Sequence, residues 1–251
     1  MRRNLFRLVV AAALLPATAG VASAQLNRTG GSVVACAFVG GCDANWSVQW
    51  FGLPGGVASG VTGTLANAAI VTTIPSPPWA PNIPGTQQWI GIASDAVAPT
   101  AHTGDSATNY RYFFTTTVAN LPSAFTLGMG WDNHLAGVFA GALTINADGS
   151  YSGGTSVFDA SPYANKSAFC RDGDGVFPSG GYPGTCLVDG QFSNVPGGST
   201  TLTFVLEGDG QTDGLLVSGV SATPEPASLA LMGTGLLGLG VVGARKRRRG
   251  A

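Results

Sequence analysis

The last stretch of the chain, residues 223–251 (TPEPASLALMGTGLLGLGVVGARKRRRGA), constrains how everything before it can fold. From Ala227 to Ala244 run eighteen residues without a formal charge, mostly Leu, Ala, Gly and Val. As a helix rising about 1.5 Å per residue they reach roughly 27 Å, enough to cross the apolar core of a bilayer. Five consecutive cations follow, Arg245, Lys246, Arg247, Arg248 and Arg249. Such a cluster resists translocation, so this end is expected to stay cytoplasmic while the preceding chain stands outside. Just before the helix, Pro224-Glu225-Pro226 is expected to be extended and open to a membrane-embedded processing enzyme, because proline removes a backbone donor and disfavours helix at the residue before it.

The order of Pro-Glu-Pro, Gly-rich apolar helix and Arg-rich end resembles the PEP-CTERM sorting signal, which exosortases read in bacteria that make exopolysaccharide. A plain tail anchor needs apolar residues and flanking charge but not Pro-Glu-Pro at that spacing. The resemblance covers about the last 28 residues. It implies a cut near Pro224, Glu225 and Pro226, a transient inner-membrane intermediate, and release or attachment at the cell surface or in the extracellular matrix of a Gram-negative bacterium. A permanent membrane anchor is the competing reading.

The other end carries a second address. Arg2, Arg3 and Arg7 precede an apolar run from Leu8 to Leu15, and Ala22-Ser23-Ala24 supplies the small residues that signal peptidase requires. Cleavage is expected after Ala24. The Arg2-Arg3 pair also admits twin-arginine export, but paired cations are ordinary in a signal peptide and general secretion is preferred. The organisation is then a signal peptide at 1–24, an exported domain at 25–222 and a sorting signal at 223–251.

Net charge of the whole chain is −1, but eight of its twelve cations sit in the two targeting segments. Residues 25–226 hold Arg28, Arg111, Lys166 and Arg171 against all thirteen carboxylates, a balance of −9. Nucleic acid and anionic lipid are poor partners for such a surface. The exported part also holds all four cysteines, Cys36, Cys42, Cys170 and Cys186. An even count in an oxidising compartment predicts disulfides, of which three pairings are open. Nearest neighbours, Cys36 with Cys42 and Cys170 with Cys186, would each close a Gly-rich loop. Zinc is disfavoured because the spacings are wrong and neither histidine lies close by.

No stretch of the exported part sustains a helical apolar period, whereas short runs of Val, Thr and aromatics recur between Gly, Pro and Asn clusters. Strands are predicted at Val33–Val39, Trp46–Phe51, Ala69–Thr73, Gln88–Ala93, Tyr110–Val118, Phe125–Met129, Gly137–Ile145, Thr200–Glu207 and Leu215–Val220. That number of strands without a long helix predicts an all-β, two-sheet sandwich. Leu202, Phe204 and Leu206 share one face, as do Tyr110, Tyr112, Phe114 and Val118, and these faces are the expected core. The proline-rich segment 74–85 is expected to be a loop, Asn146-Ala147-Asp148-Gly149 a turn, and 159–196 an elaborated loop held by Cys170 and Cys186.

A looser resemblance covers most of the exported part. DANWSVQW, QQWIG, NYRYFFTTTVANL with GMGWDNHLAGVFAGALTI, and TLTFVLEGDGQTDGLLVSGV are similar to successive segments of β-sandwiches common among exosortase substrates, themselves similar to the galactose-binding-like jelly rolls of carbohydrate-binding modules. This implies a jelly-roll sandwich and possible glycan contacts at Trp131, Asp132 and Asn133, although the Asn-Gly turn usual in those domains is replaced here by Ala140-Gly141. It also implies that a structural calcium could be bound. Asp172 and Asp174 begin a calcium-like loop that lacks its third acidic position and closing glutamate.

Of five tryptophans, Trp46, Trp89 and Trp131 are expected to be buried, while Trp79, in the proline loop, is the best candidate for a displayed platform that stacks on a sugar ring. His134 after Asp132 suggests a general base with an orienting carboxylate, but neighbouring strand residues point apart and an Asx turn accounts for the pair more simply. His102 sits in a polar loop, and no nucleophile elbow, His-Glu-x-x-His or phosphate-binding loop occurs. The chain is expected to be an exported structural or adhesive protein of exopolysaccharide or biofilm rather than an enzyme, with no obligate cofactor. A carbohydrate-binding module proper is the first alternative, and a polysaccharide hydrolase using Asp132 or His134 the second.

Overall fold

In the computed structural model, the described residues are 26–73, 79–80, 82–85, 87–99, 109–118, 121–132, 134–163 and 188–222. The two targeting segments, His102, Asn133, Cys170, Cys186, Asp172 and Asp174 lie outside them.

The described residues form thirteen strands: β1 (Val33–Val34), β2 (Cys42–Asp43), β3 (Trp46–Gly52), β4 (Thr62–Leu65), β5 (Ala68–Ile70), β6 (Ile90–Gly91), β7 (Tyr110–Thr117), β8 (Phe125–Asp132), β9 (His134–Ile145), β10 (Tyr151–Phe158), β11 (Val188–Phe192), β12 (Thr201–Gly208) and β13 (Gly214–Ala222). One antiparallel sheet runs β1-β2-β5-β6-β13-β8-β11 and the other β10-β9-β12-β7-β3-β4. The sandwich predicted from strand number is therefore present. Its last eight strands, in the order β6-β13-β8-β11 facing β7-β12-β9-β10, have jelly-roll topology, with β3 and β4 extending one sheet and β1, β2 and β5 the other.

The core lies between the sheets and follows the alternation read in the sequence. Leu202, Phe204 and Leu206 of β12 and Tyr110, Tyr112 and Phe114 of β7 are all buried in it. From the opposite sheet, Leu127, Met129 and Trp131 of β8 and Leu215 and Val217 of β13 meet them. Each such fully buried apolar side chain contributes about 1.5–3 kcal/mol relative to exposure.

Several elements differ from expectation, each for a local reason. β1 covers only Val33–Val34, because the chain then turns through a knuckle closed by the Cys36–Cys42 disulfide, one of the pairings left open by the sequence. β6 is reduced to Ile90–Gly91: Val71 N still reaches the Trp89 carbonyl, but the Asn82 side chain takes up Val71 O and Trp89 N, and Thr72 and Thr73 both donate to the Ser94 carbonyl. Part of the expected loop 159–196 is strand β11, paired along its length with β8. β10, unforeseen, is the outer edge strand beyond β9 and carries Gly and Ser on an exposed surface. The turn before it is as predicted: Asn146 accepts from Gly149 N at 3.0 Å, and Gly149 sits at φ 76°.

Candidate functional site

The sequence directs attention first to Trp79 and to Trp131-Asp132-Asn133. Trp131 points into the core and is 0% exposed. Asp132, the next residue of β8, faces the outer side of its sheet, where Trp79 and Ala80 lie against it. On that side Trp79 donates its indole N–H to Asp132 Oδ2 at 2.9 Å and packs on Trp89 with ring centroids 4.2 Å apart. Trp89 in turn donates to the Ala80 carbonyl at 2.8 Å. Val71, Ala96 and Leu216 complete this second apolar cluster. The candidate sugar platform is thus corrected: Trp79 is 5% exposed and is held against the sheet by Asp132. Proline spacing marks a loop, but it does not reveal that the loop covers a sheet face. Trp131 and Asp132, buried as well, present nothing for a glycan to touch.

Asp213, just before β13, lies at the same end of the sandwich. Its Oδ2 accepts from Tyr112 Oη and from Gly210 N, each at 2.7 Å. Burial holds its carboxyl well above the usual carboxylate range, opposed by the Tyr112 hydrogen bond and reinforced by the nearby charges of Asp132 and Asp209. Tyr112, equally buried against that carboxyl, has its phenol pushed well up. These groups fasten the crossing from β12 to β13 to the core. Among the described residues, no group of three or more His, Cys, Asp or Glu side chains gathers closely enough to hold a metal ion.

The outward face of the six-stranded sheet is more open. Register aligns Phe51, Arg111, Glu207 and His134 in one row across β3, β7, β12 and β9. Arg111 donates Nε at 3.0 Å and Nη2 at 2.5 Å to Glu207 Oε1, and Nη1 at 2.7 Å to the Gly149 carbonyl of the β9–β10 turn. Its guanidinium also lies over the Tyr151 ring, 5.3 Å from the centroid. Beyond this row is an open cleft of about 710 Å³. His134, Glu207, Phe139, Asp159, Gln191 and Asn194 are among the residues that line it. Partial burial lowers the His134 pKa, with Glu207 pulling the other way.

The structure therefore separates the pair named for hydrolysis. Asp132 is engaged by Trp79, whereas His134 belongs to the cleft beside Glu207. Glu207 was missed as a site residue because it is distant in the chain, although its pairing could be anticipated from β12 and β9 being neighbouring strands.

Residues 222–249 match the PEP-CTERM protein-sorting motif. The match covers Pro224, Glu225 and Pro226, the apolar run and all five terminal cations. The motif implies export and a membrane-associated sorting signal, and PEP-CTERM proteins are exosortase substrates. No curated protein and no solved structure matches the chain.

Proposed function

We propose, from the premise that the chain closes with a PEP-CTERM sorting motif, that its exported domain is an adhesive or scaffolding component of exopolysaccharide or biofilm. One observation carries the reading: β13 ends at Ala222, the residue at which the motif begins. A cut near Pro224 to Pro226 then leaves all thirteen described strands in place, so processing delivers the sandwich intact to the outside. The motif helix would hold the tripeptide at the membrane and the five cations would fix its orientation. Binding rather than turnover is the role supported, since Asp132 and His134 serve separate environments.

Intact-mass and C-terminal peptide analysis of protein recovered from outside its native host tests this, together with its co-fractionation with the extracellular polysaccharide. The expected chain begins near Gln25, ends near Pro224 to Pro226 and travels with the polysaccharide. Retention of residues 227–244 would make the tail a permanent anchor. A processed chain that never associates with polysaccharide would remove the adhesive role.

A further inference from the structure

The cleft beyond the Arg111–Glu207–His134 row is not used by the sorting signal and has the chemistry of a ligand site. Its volume of about 710 Å³ lies in the range of small-molecule clefts. Arg111 holds Glu207 through Oε1 and leaves Oε2 able to accept. The side chains of His134 and Gln191 have no hydrogen-bond partner among the described residues, and both line the cleft. Asp159 uses Oδ1 on Ser161 N at 3.0 Å. The partly buried ring of Phe139 adds an apolar surface to one wall.

We propose that this cleft binds an uncharged segment of a polysaccharide, an inference that rests on the adhesive reading above and locates its binding site. Sugar hydroxyls both donate and accept. They can satisfy the carboxylates of Glu207 and Asp159 as well as the Gln191 amide and the His134 imidazole, while ring C–H groups pack on Phe139. An anion would meet two carboxylates, and among the described residues the cation beside them, Arg111, is already engaged by Glu207 and the Gly149 carbonyl. A purely apolar ligand would strand these polar groups without partners.

The test uses the processed protein recovered from outside its host. As probes it uses oligosaccharides made by partial hydrolysis of the host's extracellular polysaccharide, separated by charge into neutral and acidic pools. Gln191→Ala removes the free amide and Ala136→Trp fills the cleft. Both positions are exposed, so unfolding temperature should hold. Thr62→Ala, on β4 at the opposite edge of the same sheet, is the control. By titration calorimetry the neutral pool should bind wild type and Thr62→Ala alike, and each cleft variant at least about tenfold more weakly. Unchanged binding by both cleft variants would overturn the site while leaving adhesion intact. Binding confined to the acidic pool would overturn the ligand class. No binding of either pool by wild type would overturn the site and the adhesive reading together.

Discussion

Trp79 and Asp132, 53 residues apart in the chain, meet through an indole N–H to carboxylate hydrogen bond of 2.9 Å that is buried from solvent. This contact fixes Trp79 and Ala80 to the outer face of the seven-stranded sheet and lets Leu216, which points away from the main core, be fully buried. Asp132→Ala would strand a buried donor and is expected to cost about 2–3 kcal/mol. Trp79→Ala would open a cavity beside Trp89 and cost about 3–5 kcal/mol. Denaturant unfolding measures both. If Trp79→Ala left stability unchanged but abolished polysaccharide binding, the ring would be a ligand platform after all.

Gly214 tests the same contact from beneath. A Cβ built there would come within 2.7 Å of the Trp79 ring and 3.2 Å of the Ile90 carbonyl oxygen. The ring cannot swing away without losing Trp89 and Asp132. Gly214→Ala is therefore expected to destabilise by about 1–3 kcal/mol, as overpacking does. Combined with Trp79→Ala the penalty should largely vanish, a non-additivity that a double-mutant cycle would record.

How far the sequence discloses this molecule depends on which faces are buried. β7, β12, β8 and β13 have one face in the core, so alternation of large apolar residues announces them. β10 lies at a sheet edge with most of its residues exposed, and YSGGTSVF carries no alternation because burial imposes none. Trp79 misleads for a related reason: prolines mark it as loop, and nothing local reports the sheet face beneath. The cleft is less legible still, since His134, Gln191 and Glu207 come together only through strand order.

Asp213 sets a pH dependence whose sign follows from its burial. Its folded-state pKa stands well above the unfolded value, with burial the leading cause. Between the two values the folded protein holds a proton that the unfolded chain has released. Stability contributed by this group is therefore full below the ordinary carboxylate range and is lost as pH rises through the raised pKa. Asp43, raised chiefly by burial, acts in the same direction. Asp213→Asn keeps an oxygen for Tyr112 and Gly210 while removing the ionisation. Its stability-against-pH curve should lack part of the decline seen in wild type above the usual carboxylate range. Parallel curves would show that Asp213 does not ionise differently on folding.

Arg111 is predicted to act as a fastener rather than as a simple surface charge. It spans Glu207 and the Gly149 carbonyl while lying over Tyr151, and its side chain is 20% exposed. Lysine retains charge but cannot supply three directed donors in one plane. Arg111→Lys should cost about 1 kcal/mol, solvent screening of the partly exposed pair keeping the figure low. Faster amide exchange should follow in the β9–β10 turn, whereas the strands facing the core should keep their protection. Uniform exchange rates would rule out the fastening role.

The join between domain and sorting signal yields the last prediction. β13 lies between β6 and β8, in the body of its sheet, and its pairing with β8 runs from Gly214 opposite Asp132 to Ala222 opposite Phe125. A chain stopped after Thr223 keeps every one of these pairs and should unfold within about 1 kcal/mol of the chain that runs on to Pro226, since no described strand is shortened. Stopping after Leu216 removes Val217 from the core and withdraws the acceptor used by Thr29 N at 3.0 Å. It also unpairs the Phe125 half of β8 from β13. That chain should show no cooperative unfolding transition at all. Thermal unfolding of the two truncations, followed by near-ultraviolet circular dichroism, separates these outcomes. A markedly lowered transition in the longer chain would mean that residues beyond Thr223 support the domain, and that cleavage near Pro-Glu-Pro weakens the protein it releases.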